Sequence, residues 1–371
     1  MAQHEADLYK RLTQLLDESR AASEHILGFP AALDYDHHEL TPWLHQFLNN
    51  VGDPFVEPFH AMTTKQLEIE VLEFFADLFR APKNDWWGYI TNGSTECNLY
   101  ALYVARETLP NARVYYSQAA HYSVAKNIHI LGCTGEAVAT MPNGEMDYND
   151  LNKRLRAHGD GQAIVIATIG TTMTEAKDNV AEIAKTLRAT GVTHSYIHAD
   201  AALAGPYIAL LEPHWPFDFA DGADSMSISG HKFMGCPMPC GVVLVRKSLK
   251  DALRQQLNYT GSPDTTISGS RNGHTALLLW YATKRQGREG IRQRIEHGLG
   301  LAEYAHQQLQ RIGWHSWRNP NALTVMLKTP SEALIRKWQL ASADGWSHII
   351  CMPSVTRGRV DSFIQDLSAT R

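Results

Sequence analysis

Lys232 stands in a tight turn between two runs that read as strands. The stretch 225–246 runs Ser-Met-Ser-Ile-Ser-Gly-His-Lys-Phe-Met-Gly-Cys-Pro-Met-Pro-Cys-Gly-Val-Val-Leu-Val-Arg, with Gly230, His231, Lys232 and Gly235 in the turn and an apolar β-branched run after it. Ammonium groups are rarely buried without a partner. Desolvation lowers a lysine pKa and frees the nitrogen lone pair, which suits an amine that forms a Schiff base with an aldehyde. Ser229 and His231 beside it suit an anionic group such as a phosphate ester. The alternative for this stretch alone is a surface hairpin carrying an exposed lysine.

A second stretch, Ile197-His-Ala-Asp-Ala-Ala-Leu-Ala204, ends a strand on Asp200, 32 residues before Lys232. Strand tips are where α/β proteins keep their sites. In pyridoxal phosphate (PLP) enzymes an aspartate keeps the pyridine nitrogen protonated and a lysine carries the aldehyde. Ala202 leaves room for a flat ring. The alternative is an aspartate that caps the following helix.

Three further segments add chemistry. Thr91-Asn-Gly-Ser-Thr-Glu-Cys-Asn98 opens a helix, and backbone N–H groups at such a start form an anion site to which Ser94 and Thr95 add hydroxyls. A capping box is the competing reading. His121-Tyr-Ser-Val-Ala-Lys126 begins a helix after the strand 113–117, and His121 is a candidate acid–base group or a structural histidine. The apolar strand 163–169 ends in Gly170-Thr-Thr172, which offers hydroxyls at the sheet edge.

Taken jointly, Asp200-Ala-Ala, Ser227-x-Ser-Gly-His-Lys232, Gly170-Thr-Thr and His121-Tyr-Ser-Val-Ala-Lys resemble the group II PLP-dependent amino-acid decarboxylases, from about Gly28 to the C-terminus. The resemblance implies PLP fold type I: an α/β large domain with a mainly parallel sheet and a small α+β C-terminal domain, working as a homodimer. It implies that Lys232 holds PLP, Asp200 the ring nitrogen, and that His121 and Ala202 flank the ring. Ser94, Thr95, Ser229 and His231 are expected at the phosphate, and Thr172 near the phenolic oxygen. The polar segment 257–273 is expected to reach the partner's site, with Tyr259 as a candidate proton donor and Ser268, Ser270 and Arg271 as anchors. The chain departs from its relatives at Ser94, Cys97 and Glu175, where they carry glycine. Within the family the resemblance is divided between bacterial histidine decarboxylases and plant serine decarboxylases. L-histidine to histamine is the favoured reaction, and L-serine to ethanolamine the runner-up. Another fold type I enzyme (an aminotransferase or lyase) and a non-catalytic PLP-binding protein remain as other classes.

The elements that must position these residues follow from periodicity. Strand–helix alternation from 88 to 246 predicts a parallel sheet with helices on both faces. Leu8, Leu12, Leu15 and Leu16 predict an amphipathic helix over 4–25, and Thr64 is placed to cap a helix over 63–78. Residues 274–312 predict a long helix interrupted near 287–290, followed by three strands and two helices. The expected domains are 1–60 as an N-terminal helical segment that packs a dimer, 61–273 as the PLP-binding domain and 274–371 as the small domain. With 371 residues, 44% hydrophobic and a net charge of −5, the chain can bury a large core and does not call for a polyanion. Five cysteines without framework spacing point to a reducing cytoplasm. Cys236-x-x-x-Cys240 lacks a second pair, so no metal is expected there. Asp36-His-His-Glu39 reads as a solvated helix start.

Overall fold

Alternating β-branched strands and amphipathic helices build the larger of two units, residues 31–296. The smaller unit joins residues 1–30 to 297–371. The structure is a computed structural model that describes residues 2–57, 60–159, 161–251, 253 and 264–370. The chain opens in the smaller unit with α1 (Ala2–Glu24). The larger unit then contains a 3-10 helix (His38–His45), α2 (Lys65–Leu78), β1 (Trp87–Thr91), α3 (Ser94–Thr108), β2 (Arg113–Ser117), α4 (Ser123–Ile130), β3 (Gly135–Val138), α5 (Tyr148–His158), β4 (Gln162–Thr168), α6 (Val180–Ala189), β5 (His194–Asp200), α7 (Gly205–Ile208), β6 (Ser225–Ser229), β7 (Gly241–Val245) and α8 (Lys247–Lys250). The helix α9 (Gly273–Arg311) carries the chain back into the smaller unit. There follow β8 (Ser316–Trp317), β9 (Thr324–Lys328), α10 (Glu332–Trp338), β10 (Ala341–Ala343), β11 (Trp346–Ile350) and α11 (Arg357–Ala369).

The large sheet has the order β1-β7-β6-β5-β4-β2-β3. Strands β2 to β6 run parallel, and β7 pairs antiparallel with both β6 and β1. The expected mainly parallel α/β sheet is therefore present. Its central strands are buried on both faces, which explains their unbroken apolar runs. Register sets Thr168 beside Asp200 and Asp200 beside Ser227, so the C-terminal ends of β4, β5 and β6 form one edge. The smaller unit has a four-stranded sheet, β10-β11-β9-β8. The short β10 was not among the three strands expected, because three residues carry too little pattern to detect.

Local signals acted mostly as expected. Asp147 caps α5 by accepting from Asn149 N at 2.9 Å, and Gly159 ends it in the left-handed region at φ +61. Gly287, at φ +54, is the interruption inside α9. Thr64 occupies the N-cap of α2 but makes no capping bond. Its hydroxyl donates instead to Gly273 O at 2.7 Å, while its N–H is taken by Asn50 Oδ1 at 2.8 Å. A tertiary bond displaced the local one. Arg271 likewise turns inward: its guanidinium pairs with the buried carboxylate of Glu68 and donates to Gly52 O at 2.7 Å. This ties the end of the 264–272 loop to the body of the unit.

Candidate active site

Lys232 lies where the sequence reading put it, in the turn between β6 and β7, half-buried. The turn is tied by Gly230 N donating to Cys240 O at 2.9 Å and Gly235 N donating to Lys232 O at 3.0 Å. Gly235 is required on two counts. Its φ is +69, and a Cβ there would sit 2.0 Å from the Tyr35 ring. Burial pushes the Lys232 amine below the ordinary lysine range, and the Asp200 carboxylate opposes that shift without cancelling it. That is the direction of shift a nucleophilic amine needs.

Asp200, at the tip of β5, is buried. Its Oδ2 accepts from Asn98 Nδ2 at 2.7 Å, and its Oδ1 accepts from the N–H of Ala202 at 3.3 Å. Half-buried Ala202 also accepts from Ser229 N at 3.0 Å, so it bridges the two strand ends. Ser94 and Ser229 bring their hydroxyls within 2.7 Å of each other. That contact joins the N-terminus of α3 to the end of β6 and sets a helix start, with its N–H groups, beside the lysine turn. The N-cap is Gly93, and no side chain makes a capping bond. Glu96 folds back to accept from Asn92 N at 3.0 Å. Thr95 is half-buried in the first turn, and its carbonyl accepts from Asn127 Nδ2 at 2.8 Å.

His121 precedes α4, with Nδ1 2.8 Å from Ser123 Oγ. Burial lowers its pKa, Asp200 pulls it up and Lys232 pushes it down, so the ring sits in the field of both groups. His231 Nδ1 lies 3.0 Å from Cys240 O, and burial lowers its pKa as well. Thr172 is exposed on the turn after β4. Thr168, four residues earlier, is buried beside Asp200, and its hydroxyl has no hydrogen-bond partner among the described residues. Tyr259 lies outside the described residues. Ser268 donates to Glu96 Oε1 at 3.3 Å, and Ser270 accepts from Asn49 Nδ2 at 3.3 Å.

Five residues escaped the sequence reading: Asn98, Thr168, His198, Ser225 and Ser227. The signal was available in His198-x-Asp200 and Ser225-x-Ser227-x-Ser229. Polar residues at period two within buried strands line one face of the sheet. A His214, Asp218 and Asp221 cluster elsewhere in the unit could resemble a metal site. Arg80 fills it, donating to Asp218 and Asp221 at 2.7 Å each.

Residues 48–315 match the family model described as the pyridoxal-dependent decarboxylase conserved domain. The chain belongs to this family. It is a PLP-dependent carboxy-lyase, and its cofactor is pyridoxal 5′-phosphate. A histidine decarboxylase of Mesorhizobium japonicum is 44% identical over 97% of this chain and 97% of its own. One from Morganella morganii is 40% identical over 92% of each. Among solved structures, L-methionine decarboxylase from Streptomyces sp. 590 superposes with a TM-score of 0.90 at 26% identity, covering 98% of this chain and 95% of that one. Lactobacillus brevis glutamate decarboxylase, at 19% identity and a TM-score of 0.82 over 99% and 91%, shares the fold.

The site of this decarboxylase fits PLP. A desolvated amine, a buried carboxylate, an unpartnered Thr168 hydroxyl beside it and a hydroxyl-lined helix start suit, in turn, the aldehyde, the ring nitrogen, a ring oxygen and the phosphate. The departures from family glycines are accommodated. Cys97 is fully buried with Sγ 3.0 Å from Thr91 Oγ1, in a space left by Gly241, whose Cβ would lie 2.6 Å from that sulfur. Glu175 takes the left-handed conformation at φ +53, and its buried carboxylate accepts from Tyr207 and pairs with Lys177. The backbone thus keeps the shape a glycine would give, at the cost of a strained residue.

Proposed function

We propose that this decarboxylase converts L-histidine to histamine and CO₂. The identity of 44% along 97% of the chain with a histidine decarboxylase carries the reading, because the match spans the segments that hold the site as well as the rest of the scaffold. Bound here, PLP supplies an electron sink for the charge left when the carboxylate departs. Lys232 would hold the aldehyde end, and Asp200 would face the ring nitrogen. His121 and Ala202 would flank the ring. Thr172, on the turn after β4, and Thr168, buried beside Asp200, are the candidate hydroxyls for a ring oxygen. Ser94, Thr95, Ser229, His231 and the first amides of α3 would hold the phosphate. Tyr259 remains the candidate proton donor.

A site built around an imidazole leaves buried polar groups unpaired when a hydroxymethyl takes its place, so it rejects serine strongly. The test is kcat/KM for L-histidine against L-serine, with CO₂ and amine both measured. Histidine should lead by at least about a hundredfold. A lead for serine would overturn the substrate and leave the decarboxylase reading standing.

A homodimer is part of the same reading. Leu8, Leu12, Leu15 and Leu16 of α1 lie 44–53% exposed at helical spacing, an apolar face that a second copy would cover. Light scattering should give twice the mass of the chain. Heterodimers of Lys232→Ala and Tyr259→Phe chains should regain part of the activity if the 257–273 segment crosses between subunits. Free cysteines support a cytoplasmic site of action. Among the described residues no helix is long and apolar enough to cross a membrane.

A further inference from the structure

A chain of buried polar groups runs away from Asp200 and extends further than one carboxylate needs. Pairing of β5 with β6 sets His198 beside Ser225 and Asp200 beside Ser227, so all four share one sheet face, and α3 lays Asn98 over them. Each is at most 4% exposed. Buried groups of this kind must satisfy one another, and that requirement fixes the sense of every bond.

A carboxylate oxygen only accepts, so the amide nitrogen of Asn98 must face Asp200 Oδ2, at 2.7 Å. The amide oxygen then faces His198 Nε2 at 3.0 Å and Ser227 Oγ at 2.8 Å. That oxygen also only accepts. His198 therefore carries its proton on Nε2, and its bare Nδ1 receives the Ser225 hydroxyl at 2.8 Å. Burial holds the His198 pKa down at about 4, so the ring is neutral in the working range. Every donor points toward Asp200. An amide turned the other way would set oxygen against carboxylate, and His198 is one of two donors that prevent it.

We propose that His198 is a positioning residue that acts through Asn98 to fix the orientation of Asp200 toward the cofactor ring. The proposal rests on the assignment of Asp200 to the ring nitrogen. Its first test does not: ¹⁵N NMR of the cofactor-free protein should show His198 as the Nε2–H tautomer, without titration between about pH 5.5 and 8. The Nδ1–H tautomer would overturn the relay whatever the substrate is. The second test compares His198→Leu, which removes the donor, with His198→Gln, which returns an N–H near the Nε2 position. In the PLP-loaded enzyme, His198→Leu should lower kcat about tenfold or more and alter KM less than about twofold, as loss of a bond in a charged network does. The absorption band of the bound cofactor should shift with it. His198→Gln should recover most of the rate and the band. A parent-like rate and spectrum in His198→Leu, or a Gln variant as impaired as the Leu variant, would sink the proposal. If His198→Leu fails to fold, the tautomer and the Gln variant decide.

Discussion

The two units each bury a strand histidine, and they use it differently. His198 on β5 bonds the side chains of Ser225 and Asn98, and Asn98 leads on to Asp200. His348 on β11 is 1% exposed, and its Nε2 lies 3.2 Å from the backbone oxygen of Gly28. That segment is also held by Ile350 N donating to Leu27 O at 2.6 Å, and a Cβ on Gly28 would meet Gln339 O at 2.2 Å. In the smaller unit the buried imidazole meets a backbone carbonyl. In the larger unit it orients a functional group. Burial and residue type are the same in both, so what separates a structural histidine from a working one is where its hydrogen bonds lead.

The largest effect should come from the reacting end of the polar face. Lys232→Ala should abolish borohydride fixation of PLP and reduce turnover below detection. Label on another lysine would break the whole assignment. Asp200→Asn should keep PLP bound while kcat falls at least about a hundredfold, near 2.7 kcal/mol; normal rates would remove Asp200 from the mechanism.

The pH dependence of stability sharpens the comparison. The His198 pKa is about 4 folded against 6.5 unfolded, so between those values the unfolded chain binds more protons and stability falls as pH falls. That loss is complete below about pH 4 and absent above about pH 7. At 1.36 kcal/mol per unit it amounts to roughly 3 kcal/mol. Denaturant titrations of the parent and of His198→Gln at pH 7 and pH 4.5 should show part of the parent's acid sensitivity missing in the variant. Equal sensitivity would mean that His198 is not the group titrating. The smallest effect belongs to the smaller unit's histidine: His348→Leu should cost about 1–3 kcal/mol of stability and leave kcat per folded molecule unchanged. A fall in kcat would erase the distinction between the two histidines.

Much of this was legible in residue order. Lys232, Asp200 and the helix start at Ser94 carry types whose chemistry is local, and their spacing between strand patterns places them at one sheet edge. The break at Gly287 was equally readable, since backbone preference acts over a few residues. Thr64 was misread because a carbonyl 209 residues away claimed its hydroxyl. Thr168 and Thr172 are both threonines near the end of β4, and residue order alone does not show which of them stands beside Asp200. Only the register beside Asp200 distinguishes them.

The sequence by itself determined the chemistry: an amine, a carboxylate and a hydroxyl-lined helix start, with the strands and helices to present them. Period and composition are short-range properties, and they survive in any fold the chain adopts. Tertiary structure alone decided which groups meet. Asn98, His198, Ser225 and Ser227 sit up to 129 residues apart and form one network only because β5 and β6 pair in register and α3 lies across them. The direction of that network follows from a rule that acts only after burial: with water excluded, each acceptor must find a donor inside the protein.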